Sequence, residues 1–211
     1  LDPDGHLRIT EDPPIRQHRD DGLAEELFAA YHDSLPDDRR HLLDRFALVD
    51  TVRQVVGVGS VGMRVHLVLL EGRDGKDPLF LQIKQAGPSV YEPWCGPSRY
   101  DNRGRRVVEG KRLVQSATDI FVGWTEGRGH DYYVRQFRDM KVIANGELIS
   151  PRLGEFATAC GKVLARSHAR TGDPVAIAAY IGKGRAFDAA MGEFGQAYAD
   201  QTEHDHRQLV D

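Results

Sequence analysis

Three glycines in the stretch VVGVGSVGMRVHLVLL, residues 55–70, limit what this chain can fold into: Gly57, Gly59 and Gly62. Glycines at this spacing occur in two unrelated phosphate-binding loops. In a dinucleotide-binding fold the loop leads into a helix whose N-terminus faces the pyrophosphate. In kinase-like enzymes the loop joins two strands, and its backbone amides cover the phosphates of ATP. The residues that follow Gly62 therefore decide between the two structures.

The segment after the glycines alternates polar and apolar residues, with Arg64 and His66 set against Val65 and Leu67. Alternation with a period of two, together with β-branched residues, is typical of a strand. A dinucleotide site would also need an acidic residue about twenty residues further on, at the end of a second strand, and none is found there. A Walker loop is excluded because neither Lys-Ser nor Lys-Thr follows the glycines. The stretch is therefore predicted to be a hairpin loop between two strands, the first at residues 53–56.

A kinase-type hairpin needs a lysine on the third strand and a glutamate on the next helix to orient that lysine. Lys84 lies in LFLQIKQ, the predicted third strand, which follows the turn signal EGRDGKDP. Glu109 lies in the predicted helix NRGRRVVEGKRLVQSATD. The apolar side of that helix is predicted to comprise Val107, Val108, Leu113, Val114 and Ala117.

Each of these residues also has an ordinary structural explanation. The glycines can simply allow a tight hairpin, Lys84 can be a solvated lysine at a strand end, and Glu109 can form salt bridges along its own helix. Under the nucleotide hypothesis, the cofactors are ATP and Mg²⁺, and the segment RDMK, residues 138–141, is the hinge beside the adenine. The cofactor-binding residues are then Gly57, Gly59, Ser60, Gly62, Lys84 and Glu109.

The chain as a whole predicts an α+β fold with a kinase N-lobe-like antiparallel sheet of about five strands and one crossing helix, followed by a helical C-terminal part. Residues 1–50 are predicted to be an extended surface segment (1–21) and helices, 51–142 the nucleotide-clamp sheet and 143–211 the helical part. The helix that follows Ser150-Pro151 is predicted to turn an apolar stripe inward, comprising Leu153, Phe156, Cys160, Val163 and Leu164. A later helix, around residues 185–203, is predicted to have its own stripe of Phe187, Met191, Phe194 and Tyr198.

Composition narrows the classes of partner. A formal net charge of −4 gives no general attraction to nucleic acid or to an anionic membrane. No apolar run is long enough to span a bilayer. Cys95 and Cys160 are far apart and are predicted to be buried or idle thiols in a reducing cytoplasm. The sequence HDH, residues 204–206, is predicted to be solvated surface, so no metal site is expected.

The catalytic residues of a kinase-type site are not found in the sequence. Such a site uses an aspartate for the acceptor hydroxyl, an asparagine, and a second aspartate for Mg²⁺. The segment SHARTGDP, residues 167–174, has a histidine and an aspartate, but at the wrong spacing, and no asparagine follows. Catalytic residues therefore stay unassigned.

Several blocks of the sequence, from about residue 20 to the end, resemble the bacterial family called domain of unknown function 2252. They are QVVGVGSVGMRVHLVLLEG, DPLFLQIKQA, RVVEGKRLVQSATDIFVGW, YYVRQFRDMK and ACGKVLARSHARTGD. Members of that family have a preceding half with CGDAHxxN-like and DFD-like segments, similar to the catalytic and metal loops of aminoglycoside-type phosphotransferases. The resemblance implies a kinase-like fold with its parts in permuted order. Neither of those segments occurs in this chain, so the resemblance carries over only Gly57, Gly59, Gly62, Lys84 and Glu109, as nucleotide-clamp residues.

These features predict the nucleotide-binding portion of a kinase-like phosphotransferase, with an unknown small-molecule or protein acceptor. One alternative is a non-catalytic, pseudokinase-like nucleotide-binding module. Another is a protein-interaction module, in which the glycines only shape a hairpin. Neither nucleic acid nor a membrane is expected as a partner, and the sequence does not determine the oligomeric state.

Overall fold

A computed structural model describes residues 7–19, 21–57, 62–73, 77–137 and 145–210. The chain divides into two units, residues 1–153 and residues 154–211. The first unit combines strands and helices, and the second is helical. The predicted α+β class is therefore confirmed.

The first unit is built on an antiparallel sheet with the strand order β1-β2-β3-β4-β6-β5. The described part of the chain contributes six strands, one more than the number expected. They are β1 (Arg16–Gln17), β2 (Ala47–Gln54), β3 (Val65–Glu71), β4 (Pro78–Ala86), β5 (Gly123–Gly127) and β6 (His130–Gln136).

The additional strand comes from the segment predicted to be extended surface. Arg16 and Gln17 pair with the end of β2, and Ile9 is buried. The ring of His18 also lies 3.0 Å from the carboxylate of Asp50 on β2. Two residues are too few to show a period of two, so this strand has no signal in the sequence. The next strand, β2, begins at Ala47, several residues before residue 51, where the sheet was predicted to start.

The helices of the first unit cover both faces of the sheet. They are α1 (Leu23–His32), α2 (Asp37–Leu43), α3 (Glu92–Cys95), α4 (Arg103–Val114) and α5 (Gly146–Ile149), the last followed by a 3-10 turn (Ser150–Arg152). On one face, α1 buries Leu27 and Tyr31 against strand residues such as Val134. The hydroxyl of Tyr31 donates a hydrogen bond of 2.6 Å to the carbonyl of Phe121, which fixes α1 to the segment before β5.

Helix α4 lies on the opposite face, over β4, β5 and β6. Its start is capped by Asn102, whose side chain accepts a hydrogen bond of 2.8 Å from the backbone N–H of Arg105. Gly104 and Val108 are the buried residues of this helix. The predicted apolar side was wrong at its C-terminal end, because Leu113 and Val114 are exposed and the helix stops at Val114.

The second unit consists mainly of α6 (Leu153–Thr171), α7 (Pro174–Ile181) and α8 (Ala186–Val210). Asp173 caps α7 by accepting hydrogen bonds from two backbone N–H groups. The predicted inward stripes are wrong: none of their residues is buried, and the side chain of Phe156, for example, is 43% exposed. Helical periodicity shows which residues share a face, but it does not show whether another surface covers that face.

Two further expectations concern the chain as a whole. Cys95 and Cys160 were predicted to be buried or idle thiols, and both are free and exposed, so burial is wrong for both. No helix among the described residues is both long enough and apolar enough to cross a membrane.

Candidate functional site

The glycine stretch lies between two paired strands, as predicted. β2 and β3 are antiparallel, and Arg53 lies opposite His66. Gly57 and Gly62 flank the loop, and Gly62 has a φ of +84°, which L side chains rarely adopt. Gly59, Ser60 and the predicted hinge RDMK lie outside the described residues.

Lys84 is on β4, which is the strand predicted to be the third, because the prediction did not include β1. Lys84 lies at the base of the glycine loop. It is the register partner of Val65, the first residue of β3 after the loop. The next residue, Gln85, makes two hydrogen bonds with Arg64. Its backbone N–H donates to the Arg64 carbonyl at 2.9 Å, and its side-chain oxygen accepts from the Arg64 N–H at 3.0 Å. These contacts fix the backbone of Lys84 beside the exit of the loop.

Glu109 does not pair with Lys84 in this structure. Its carboxylate accepts a hydrogen bond of 3.1 Å from the guanidinium of Arg112, one turn further along α4. Within the described ranges, no carboxylate forms an ion pair with Lys84 within 4 Å. Glu109 therefore has the ordinary structural role that the sequence also allowed, a salt bridge along its own helix.

The neighbours of Lys84 on its face of the sheet are set by strand register. Lys84 lies opposite Tyr133, and Gln82, two residues earlier, lies opposite Arg135. Alternate residues of a strand share a face, so these four side chains form one block. The guanidinium of Arg135 donates two hydrogen bonds to the side-chain oxygen of Gln82, at 2.9 and 3.1 Å. The amide of Gln82 donates in turn to Gln54 at 3.1 Å.

Lys111 approaches the same block from helix α4. Its ammonium lies 4.7 Å from the centre of the Tyr133 ring, within the range of a cation–π contact. Neither Lys111 nor Arg135 was predicted from the sequence to be a site residue. The signal was nevertheless present, since Gly104, Val108 and Lys111 follow the i, i+4, i+7 spacing of one helical face.

The positive charges in this block affect one another. Burial lowers the pKa of Lys84, and the neighbouring charge of Arg135 lowers it further. Burial also lowers the pKa of Lys111, with further contributions from Arg135 and Lys84 that the carboxylate of Asp119 opposes. That carboxylate accepts hydrogen bonds from the backbone N–H groups of Phe121 and Gln136. Lys111 and Arg135 therefore lie in one cavity with a carboxylate that already accepts two backbone N–H groups.

A cavity of about 470 Å³ opens beside this block. Lys111, Arg135 and Asp119 contribute its charged lining, and Gln115 and Gln136 are among its polar residues. This volume is within the range of small-molecule sites. Across the parts of the chain that the structure describes, no group of three or more His, Cys, Asp or Glu side chains is placed to hold a metal ion. The arrangement favours binding of an anionic small molecule.

The comparisons with known proteins identify a family. No curated protein and no solved structure matches the chain. One family model matches residues 2–211, and it is described as an uncharacterized protein conserved in bacteria (DUF2252). The match covers nearly the whole chain, and this protein therefore belongs to the DUF2252 family of bacteria.

Proposed function

We propose that this chain is the nucleotide-binding portion of a kinase-like phosphotransferase, with ATP and Mg²⁺ as cofactors and a small molecule or protein as acceptor. The observation that carries the proposal is Lys84, half-buried at the base of a glycine hairpin, with no carboxylate in an ion pair with it in the described part of the chain. In kinase-type sites a lysine on the third strand binds the α and β phosphates, while the loop amides cover them. Mg²⁺ would be bound together with the nucleotide and would supply positive charge to its phosphates.

The order of the elements supports this proposal. If the short strand β1 is left out, the other five strands can be numbered one to five along the chain. Their order across the sheet is then 1-2-3-5-4. The helix α4 comes between the third and fourth of these strands and lies against the third, fifth and fourth. In protein kinases the lysine that binds the phosphates also lies on the third strand, and the helix that carries its glutamate partner contacts it. This likeness of element order supports the proposed role of Lys84.

The electrostatics also favour an anionic ligand. Burial lowers the pKa of Lys84, because a charged ammonium loses favourable hydration when it is buried in the protein without a ligand. A phosphate group beside the ammonium would supply the opposite charge and a charge-assisted hydrogen bond. Glu109 has no assigned role in this proposal, because its carboxylate pairs with Arg112.

The test is the binding of ATP with Mg²⁺, measured by calorimetry and by thermal unfolding. A ligand at 100 times its dissociation constant stabilises the folded state by about 2.7 kcal/mol. We expect Lys84→Met to weaken ATP binding by at least about tenfold, which corresponds to about 1.4 kcal/mol. The matched control is Lys162→Met, which removes the same charge from an exposed position on α6 and should bind like wild type. Equal ATP affinity in wild type and Lys84→Met would contradict the proposal.

A non-catalytic, pseudokinase-like role is the second candidate. It is favoured by Asp119, the acidic residue in the cavity lining, because its oxygens bind the backbone N–H groups of Phe121 and Gln136 in a structural role, whereas phosphoryl transfer needs a carboxylate at the acceptor hydroxyl. The two roles share the binding site and differ in turnover. Formation of ADP from ATP, measured on the full-length protein with a panel of small-molecule and protein acceptors, distinguishes them. ATP binding without ADP formation would assign the non-catalytic role.

A further inference from the structure

Three basic residues, Lys84, Lys111 and Arg135, lie around Tyr133 on one face of the sheet. Tyr133 lies opposite Lys84 in the sheet, has Lys111 over its face at 4.7 Å, and is two residues from Arg135 on the same face of β6. The three cations come from three separate elements, β4, α4 and β6. Only the tertiary fold brings them together, so they are not a run of surface lysines.

The carboxylates of this region do not neutralise the three cations. Helix α4 carries five basic residues and a single acidic one, Glu109, which pairs with Arg112. Asp119 shares the cavity with Lys111 and Arg135, and its single negative charge offsets only one of the three cations. In the described residues neither Lys84 nor Lys111 has a carboxylate within 4 Å. The cluster keeps a net positive charge although the whole chain has a formal charge of −4.

The side chains are also held in place before any ligand binds. Arg135 is fixed by two hydrogen bonds to Gln82, which is itself bonded to Gln54. Lys111 rests on the Tyr133 ring. Partly buried like charges repel one another, so an arrangement that holds them together is expected to bind an anion of matching charge. The adjoining cavity of about 470 Å³ gives such an anion room.

We propose that Lys84, Lys111 and Arg135 form one polyphosphate site, in which Lys111 and Arg135 bind the phosphates beyond the one bound by Lys84. This inference rests on the proposed nucleotide function and names the part of the ligand that the site recognises. Affinity therefore depends on the number of phosphates. ATP binds more tightly than AMP, and inorganic tripolyphosphate competes with ATP.

The test measures ATP, AMP and tripolyphosphate binding by calorimetry to the full chain and to single variants. Lys111→Met and Arg135→Met are each expected to weaken ATP and tripolyphosphate by about tenfold or more, since a hydrogen bond to a charged group contributes about 1.5–3 kcal/mol. AMP binding should change much less. Arg105→Met is the matched control, because it removes a charge from the same helix at an exposed position over Trp124. Thermal unfolding shows whether each variant is folded.

A second readout separates a binding role from a structural one. Lys111→Met removes a repulsion from the free protein and is expected to raise its unfolding midpoint while it lowers anion affinity. A residue that only supports the fold would lower both. Lys111→Arg keeps the charge and should retain most of the tripolyphosphate affinity.

The outcomes distinguish this inference from the nucleotide proposal. If Lys84→Met weakens the binding of ATP but Lys111→Met and Arg135→Met do not, the polyphosphate site is refuted and the nucleotide proposal stands. If tripolyphosphate binds as tightly as ATP and depends on all three residues, the polyphosphate site is supported and the nucleotide proposal fails. If neither ATP nor tripolyphosphate binds to wild type, both are refuted.

Discussion

Gly104 sets how closely helix α4 approaches the sheet, and replacing it tests that contact. A Cβ atom built on Gly104 would lie 1.9 Å from the carbonyl oxygen of Tyr132. Ordinary contacts of a Cβ begin at 3.4 Å. The difference means that Gly104→Ala must move the helix and β6 apart by about 1.5 Å, because the atom in the way belongs to the backbone.

The expected cost follows from the packing. Overfilling a close-packed contact typically destabilises by about 1–3 kcal/mol. Moving α4 outward also exposes part of Val108, which is fully buried one turn later, and full burial of a valine contributes about 1.5–3 kcal/mol. We therefore expect Gly104→Ala to lower the free energy of unfolding by about 2–4 kcal/mol, a large part of the 5–15 kcal/mol typical of a domain.

The assay is urea unfolding followed by tryptophan fluorescence. Both tryptophans, Trp94 and Trp124, lie in residues 1–153, so the signal reports on the first unit. Gly110→Ala is the matched control in the same helix, because a Cβ there has no atom within 4 Å. It should stabilise by up to about 1 kcal/mol through helix propensity. If the two substitutions change stability equally, the close approach of α4 is refuted.

Two further predictions concern the core. Tyr31→Phe removes the 2.6 Å hydrogen bond to the carbonyl of Phe121 and leaves a buried acceptor unpaired. It should therefore lower the free energy of unfolding by about 1–3 kcal/mol in the same assay. A change within error would show that water satisfies this carbonyl. Burial lowers the pKa of His66 from its ordinary value of 6.5, so the unfolded chain binds a proton that the folded chain does not. Stability is therefore complete above pH 6.5 and is lost as the pH falls below it. His66→Leu should flatten that acid slope in denaturation midpoints measured across pH, and an unchanged slope would show that other groups cause it.

Local patterns predicted the hairpin and the third strand well. The alternation from Arg64 to Leu67 requires residues to point to opposite faces, and a period of two depends on the backbone alone. The helix that carries Glu109 was also predicted, because its residues repeat with helical spacing. The end of that helix was placed too late, since helix boundaries depend on capping and on contacts with other segments.

The partner of Lys84 could not be predicted with the same reasoning. The sequence favoured Glu109 as the partner of Lys84 because it is the acidic residue of the next helix. The rotation of α4 is fixed instead by Gly104 against the Tyr132 carbonyl and by the burial of Val108. Successive helix residues are rotated by about 100°, so this packing directs Lys111 toward the sheet and Glu109 away from it.

The sequence by itself determined the glycine hairpin, the lysine on the strand that follows and the α+β class, because each depends on contacts between residues close along the chain. The tertiary structure alone decided the sixth strand, the place of β6 between β4 and β5, and the cluster of Lys84, Lys111 and Arg135. Those features depend on strand register and helix rotation. Both are set by packing between distant segments, and no local pattern encodes them.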